Sequence, residues 1–223
     1  MAINRSVGRS AVSVAEAHLA RVAAVGSSRH RHLNALLEAS GVNSSRDLAD
    51  CVHLLCSLHG NQPSLIELAH RHSAEGFARD WLARAAEAFE RERLFLVRLT
   101  SAVGPLPSTP GAAETEAALN AQRNALEILA TSERRGCALG AAAALVGDWW
   151  PIRRILDRAA SRAGLESPAP ALPDEASVVA VIDAASDTVA SERALGFGGE
   201  QLLLQHRGLF DLLEARTEAR SDY

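Results

Sequence analysis

The chain has 223 residues, of which 48% are hydrophobic and 22% are charged, and its formal net charge is −4. This length allows a sizeable core without disulfides or a structural metal. All 23 basic residues are arginine. The lack of lysine excludes a lysine Schiff base, a phosphate-loop lysine and an ATP site built on a catalytic lysine. Because the arginines form no basic stripe, we expect no nucleic-acid partner.

The lack of recognisable targeting signals and the spacing of the cysteines predict a cytoplasmic protein. No apolar run reaches the roughly 18 residues that a membrane span needs, and residues 1–10 lack the apolar block of a secretory signal. Cys51, Cys56 and Cys137 have no CxxC spacing, which favours reduced, buried thiols over a disulfide framework or a zinc ribbon. We therefore predict a protein without membrane contact, folded as a single domain over residues 1–223.

Alanine and leucine dominate the chain and only 4% of its residues are aromatic, a composition that favours helices over strands. In the first half, apolar periodicity predicts helices over residues 12–25, 32–39, 46–59, a segment opened by Pro63, and 77–103. A linker rich in proline and glycine follows over residues 104–111.

The second half continues this pattern. We predict a long helix over residues 113–163, interrupted before Pro151. A second proline-rich linker, 167–173, leads to Asp174, a good N-cap for a helix that reaches residue 195. Residues 196–199 are predicted to turn the chain into a last helix, 200–219. The sequence thus predicts an all-α, antiparallel bundle of about six to eight helices, comparable to ferritin-like bundles in length and helix count only.

Several ionisable residues share the apolar faces of these helices. Burial of such groups is costly unless they are paired, hydrogen-bonded or metal-bound. The candidates are Glu92, Glu133 with Asp148 further along the same face, Glu192 and His206, together with His59 and His72 on earlier helices. Carboxylates and imidazoles are ligands for iron, manganese or zinc, so Glu92, Glu133, Glu192 and His206 form one candidate metal site, with His59 and His72 as accessory ligands. The other functional interpretation of the same residues is an acid/base pocket within the bundle.

The spacing of these residues does not match a di-iron bundle. Such bundles use two Glu-x-x-His motifs with further inward glutamates. Here Glu67 and His70 form the single copy, and their helical phase places both on a polar face. The alternative interpretation of the inward acids is a structural network, in which each carboxylate pairs with an arginine such as Arg123, Arg134 or Arg216.

Two functions remain open from the sequence. The first is a module that binds a partner or a small ligand without chemistry of its own, and the second is a metal-binding protein or metal-dependent oxidoreductase. The small-residue run 136–144 favours close helix packing over a flat cofactor. Trp149 and Trp150 fit either the end of a core or a partner contact. A homodimer is compatible with the long alanine-rich helix.

Overall fold

The all-α prediction is confirmed. The computed structural model describes residues 12–221, and this range contains nine α-helices and no strands. The helices are α1 (Val14–Val25), α2 (Arg31–Glu38), α3 (Val42–His59), α4 (Leu65–His72), α5 (Phe77–Ala102), α6 (Ala112–Ala130), α7 (Cys137–Ala163), α8 (Glu175–Ala185) and α9 (Val189–Ser221). A short 3₁₀ helix, Ser27–Arg29, links α1 to α2. Residues 1–10, in which the sequence lacks a secretory signal, lie outside the described range.

Serine and aspartate side chains begin three of the helices. Ser64 accepts a hydrogen bond from the backbone N–H of Glu67, and the Glu67 carboxylate accepts one from the backbone N–H of Ser64. This capping box satisfies two backbone donors at the start of α4. Ser13 caps α1 in the same way, and Asp174 caps α8 as predicted. Glu67 of the Glu-x-x-His motif is therefore a capping residue.

Helix boundaries in the second half differ from the prediction. Pro151 lies inside the uninterrupted α7, where Trp149, Ile152 and Arg153 are buried and their packing offsets the roughly 3 kcal/mol cost of an interior proline. The break comes earlier, before Gly136, which has a φ of 97°. Residues 196–199 do not form a turn, because they lie within α9. The predicted helix over 174–195 is instead divided between α8 and α9.

The α7 helix is the centre of the fold and contacts each of the other eight helices. It packs most extensively on α9, because glycines let the two backbones approach closely. A Cβ atom added to Gly198 would overlap the carbonyl oxygen of Cys137, and one added to Gly140 would overlap that of Leu195. The predicted role of the small-residue run in helix packing is confirmed, and residues 141–144 are fully buried.

The structure also shows the burial of the three cysteines and of the two adjacent tryptophans. The three cysteines are free; Cys51 and Cys137 are buried, whereas Cys56 is partly buried. Trp149 is fully buried, and Trp150 is 41% exposed. Within residues 12–221, no helix combines the length and the apolar character that crossing a bilayer requires.

Candidate functional site

A chain of three buried ionisable side chains crosses the centre of the molecule. The Asp148 Oδ2 and His206 Nδ1 atoms lie 2.7 Å apart, and the Nε2 atoms of His206 and His59 lie 3.0 Å apart. The three residues come from α7, α9 and the last turn of α3, and each is at most 5% exposed. Such a continuous buried chain requires every donor to meet an acceptor, since an unpaired polar group is costly there.

Asp148 is anchored at the far end of this chain by the 3₁₀ segment. Its Oδ1 accepts a hydrogen bond from the backbone N–H of Ser27 at 2.7 Å, and its Oδ2 accepts one from the Ser27 hydroxyl at 2.5 Å. Gly26 makes room for this contact, because an added Cβ would lie 2.5 Å from Asp148 Oδ1. The Asp148 carboxylate therefore has a fixed position and orients the His206 ring.

His59 lies in an apolar, aromatic environment at the other end. Its ring makes edge contacts with Trp149 and Phe89, with ring centroids 5.4 and 6.2 Å away. Burial, together with the adjacent His206, holds the pKa of His59 well below its ordinary value of 6.5. The His59 imidazole is therefore neutral near pH 7.

A cavity of about 450 Å³ adjoins His59. Its walls come from the end of α3, the loop to α4, and helices α4, α5 and α6. The apolar lining residues are Leu58, Pro63, Leu65, Leu68, Phe89 and Leu126, and the other polar ones are Asn61, Gln62, Ser64, Asn120, Arg123, Asn124 and Glu127. The second ring nitrogen of His59, Nδ1, has no hydrogen-bond partner among residues 12–221 and is not fully enclosed by them. Because His59 lines the cavity and its Nε2 is engaged, Nδ1 is the ring nitrogen left to interact with an occupant.

Glu92, predicted as a metal ligand, belongs to a separate buried pair. Its Oε1 accepts a hydrogen bond from the Arg153 guanidinium at 2.6 Å, and its Oε2 accepts one from Trp149 Nε1 at 3.0 Å. Arg153 also donates to Asp157 and to the backbone carbonyl of Pro168. Both carboxylate oxygens of Glu92 are used, which fits the structural interpretation of this residue.

A second buried ion-pair network ties α9 to α3. The Arg216 guanidinium donates to both carboxylate oxygens of Asp50, at 2.8 to 3.1 Å. Arg220 bridges Asp50 and Asp47. Arg216 is thus one of the predicted arginine partners, although its acid is Asp50, which the sequence did not single out. This bidentate geometry is typical of structural carboxylate pairs.

The four residues of the candidate metal site do not come together. Glu133 is exposed in the turn between α6 and α7, because the predicted long helix is broken there. Glu192 is half-buried in the first turn of α9, and His206 is engaged in the buried Asp148–His206–His59 chain. Of the accessory residues, His59 contacts His206, whereas His72 is exposed and bonds to the Leu68 carbonyl of its own helix. Helical phase placed Glu133 and His72 on faces that the structure does not bury.

One other group has ligand atoms close enough for a metal. Within the described residues, His30, Asp211 and Glu214 offer atoms within 4.8 Å of one another. However, His30 Nδ1 accepts the backbone N–H of His32, which leaves the ring proton on Nε2, where it donates to Asp211. Glu214 is paired with Arg31 at 2.6 Å. Both ring nitrogens of His30 are therefore engaged, so this ring offers no lone pair to a cation, and the described residues give no support to a ferritin-like metal centre.

Sequence reasoning placed His206 and His59 in one candidate site and noted Asp148 as inward-facing, but it did not connect Asp148 to His206. Ser27 and Arg153 were missed. Ser27 follows a glycine at a helix end, a pattern that by itself predicts only a turn. Arg153 lies four residues after Trp149 on the same helix and therefore on the same face. This spacing is the one sequence signal that could have identified Arg153 as the buried partner of Glu92.

These features define an α-helical protein in which a buried Asp–His–His chain reaches a cavity. The protein belongs to a family of unknown function (DUF6975), whose model matches residues 22–221 of its sequence. No curated protein and no solved structure matches it.

Proposed function

We propose that this protein binds a small organic molecule in the cavity beside His59. The observation that carries the proposal is a buried, neutral imidazole with a free nitrogen at the wall of a 450 Å³ cavity. Small-molecule sites typically have volumes of about 300–1,000 Å³, apolar walls and a few oriented polar groups. The cavity beside His59 has such a volume, and its lining combines six apolar residues with eight polar ones.

The distribution of polar groups favours an amphipathic molecule. Leucine side chains and the Phe89 ring supply apolar contact, whereas His59 lies at one wall and the α6 side chains Asn120, Arg123 and Asn124 at another. Asn120 and Asn124 are exposed, and Arg123 is partly buried and donates to Asn120. A molecule with an aromatic or aliphatic centre and a hydrogen-bonding group at each end would contact the polar side chains of both walls.

The experiment that tests this proposal is ligand-observed NMR with phenol, benzamide, benzoate and indole as probes. Saturation transfer is measured for the natural protein and for Asn124→Trp, which places an indole at the cavity wall. Ala121→Trp is the matched control, because residue 121 is exposed on the same helix and does not line the cavity. We expect transfer to at least one probe, and we expect Asn124→Trp alone to reduce it. Equal transfer in all three proteins, or none in the natural protein, would contradict binding in this cavity.

A further inference from the structure

We propose that His59 takes a proton from the molecule bound in the cavity and that His206, beside Asp148, holds the resulting charge. The inference rests on the proposed function and adds acid–base chemistry to it. His59 is then the catalytic residue, because it alone of the three lines the cavity. His206 and Asp148 act through it.

The order of donors and acceptors in the hydrogen-bonded chain sets the direction of proton transfer. Asp148 accepts from the backbone N–H of Ser27, which cannot act as an acceptor, and this favours the ionised carboxylate. His206 Nδ1–H then donates to Asp148. In a neutral His206 the Nε2 atom carries a lone pair, so it accepts the Nε2–H of His59 across 3.0 Å. His59 Nδ1 is left as a lone pair that faces no protein donor within residues 12–221.

The proton step balances along this chain. An acidic O–H of the bound molecule loses its proton to His59 Nδ1, and the electron pair of that bond stays on the oxygen. The Nε2–H proton of His59 moves to His206 Nε2. His59 is neutral before and after the step, His206 becomes an imidazolium, and the bound molecule becomes an anion. No oxidant, reductant or further reactant is needed.

The surroundings explain why the charge resides on His206. A cation on His59 would be buried, and within residues 12–221 its ring has no carboxylate in hydrogen-bond contact. The Glu92 carboxylate, which bonds to Trp149 Nε1, is paired with Arg153. A cation on His206 instead lies 2.7 Å from Asp148, where the buried pair is mutually stabilised. The low basicity of His59 therefore does not prevent the transfer, because His59 never carries the charge.

This chemistry defines the ligand class as a small molecule with an acidic O–H group, such as a phenol or an enol. Its apolar body would contact the leucine and phenylalanine side chains of the cavity. Abstraction of such a proton is the first step of general base catalysis, and a positioned imidazole is the commonest residue for it.

The first test uses 4-nitrophenol, whose ionised form absorbs in the visible range. The probe's binding is measured by calorimetry and its ionisation by absorbance, for the natural protein and for His59→Gln and Asp148→Asn. His53→Gln is the matched control, because His53 lies on α3 and bonds to the Gly104 carbonyl, away from the buried chain. We expect the ratio of phenolate to phenol to be at least about tenfold higher for bound than for free probe, equivalent to one pKa unit. His59→Gln and Asp148→Asn should both lose this increase, whereas His53→Gln should keep it.

The outcomes separate the two proposals. Binding of nitrophenol without extra ionisation, or ionisation unchanged in Asp148→Asn, would overturn the proton transfer and leave ligand binding intact. Absence of binding would count against the ligand class and therefore against the transfer as stated. Because the chain variants are at risk of unfolding, the histidine rings of the natural protein are also examined by ¹⁵N NMR without a ligand.

The NMR experiment tests the proton positions directly. At neutral pH we expect a bare Nδ1 and a protonated Nε2 on His59, with a protonated Nδ1 on His206. A proton on His59 Nδ1 at neutral pH, or a His59 imidazolium, would overturn the inference whatever the nitrophenol result.

Discussion

His59 and His206 share a single hydrogen bond between their Nε2 atoms, 3.0 Å apart, although 147 residues separate them in the chain. Two imidazole rings in this arrangement hold one proton between them, so the protonation of one ring dictates the hydrogen-bonding character of the other. The free nitrogen of His59 therefore reports the state of His206, and through it the state of Asp148. This coupling connects the centre of the bundle to the cavity wall.

Replacement of Asp148 by alanine is expected to destabilise the fold strongly. The substitution leaves the Ser27 N–H, the Ser27 hydroxyl and the His206 Nδ1–H without their acceptor in a fully buried position. We predict a loss of about 3–5 kcal/mol in the free energy of unfolding, measured by urea denaturation. Asp183→Ala is the control, because Asp183 is exposed on α8, and it should change stability by less than about 0.5 kcal/mol. A loss below about 1 kcal/mol in Asp148→Ala would show that these donors find other partners.

We expect the Glu92–Arg153 pair to stabilise the fold; neither residue lines the cavity beside His59. Arg153→Met leaves the buried Glu92 carboxylate with Trp149 as its one remaining donor. We predict a loss of about 3–5 kcal/mol in the free energy of unfolding, because a buried charge without its partner is costly. Glu92→Gln combined with Arg153→Met removes both charges and should recover part of that loss. Both effects are measured by denaturation; a double variant no more stable than Arg153→Met would contradict charge burial as the cause.

Two glycines of α7 offer a matched test of the α7–α9 contact. Gly140→Ala places a methyl group on the Leu195 carbonyl, whereas Gly147→Ala places one in ordinary contact, 3.5 Å from a Val22 methyl. Gly140→Ala should lower the free energy of unfolding by about 3 kcal/mol through overpacking. Gly147→Ala should raise it by up to about 1 kcal/mol, because alanine is the better helix former. Equal effects of the two substitutions in thermal or urea denaturation would exclude close packing as the role of Gly140.

Helical phase predicted which side chains are buried better than it predicted which of them meet. Glu92, His206 and His59 were placed on apolar faces by periodicity alone, and all three are buried. Phase carries no information about height along a helix or about which helices are neighbours, so the contact of His59 with His206 was inaccessible. Glu133 failed for a local reason, since the residues before Gly136 leave the helix and carry Glu133 into solvent.

The helix boundaries show the same division between local and tertiary causes. Capping at Asp174 follows from a side chain and its next three residues, and it was predictable. The course of α9 through residues 196–199 depends on its packing against α7, and α7 continues through Pro151 among buried residues of the core. Proline and glycine disfavour helix interiors intrinsically, but close contact reverses that preference where only a glycine fits.

His18 gives the fold a predicted dependence on pH. Burial, and to a lesser extent Arg21, lowers the pKa of His18 from 6.5 to about 4. Between these two values the unfolded chain binds a proton that the folded protein does not. The stability present above pH 6.5 should therefore be lost as the pH falls toward 4, by about 3 kcal/mol in total.

The test compares the natural protein with His18→Gln, which cannot take up this proton. The free energy of unfolding is measured by urea denaturation at pH 7 and at about pH 4.5, and the loss should be smaller by about 2–3 kcal/mol in the variant. His32 and His59, whose pKa values are also lowered, are present in both proteins and cancel in the comparison. His72→Gln is the control at an exposed position and should follow the natural protein. An identical loss in all three would mean that His18 is already protonated, or accessible to water, in the folded state.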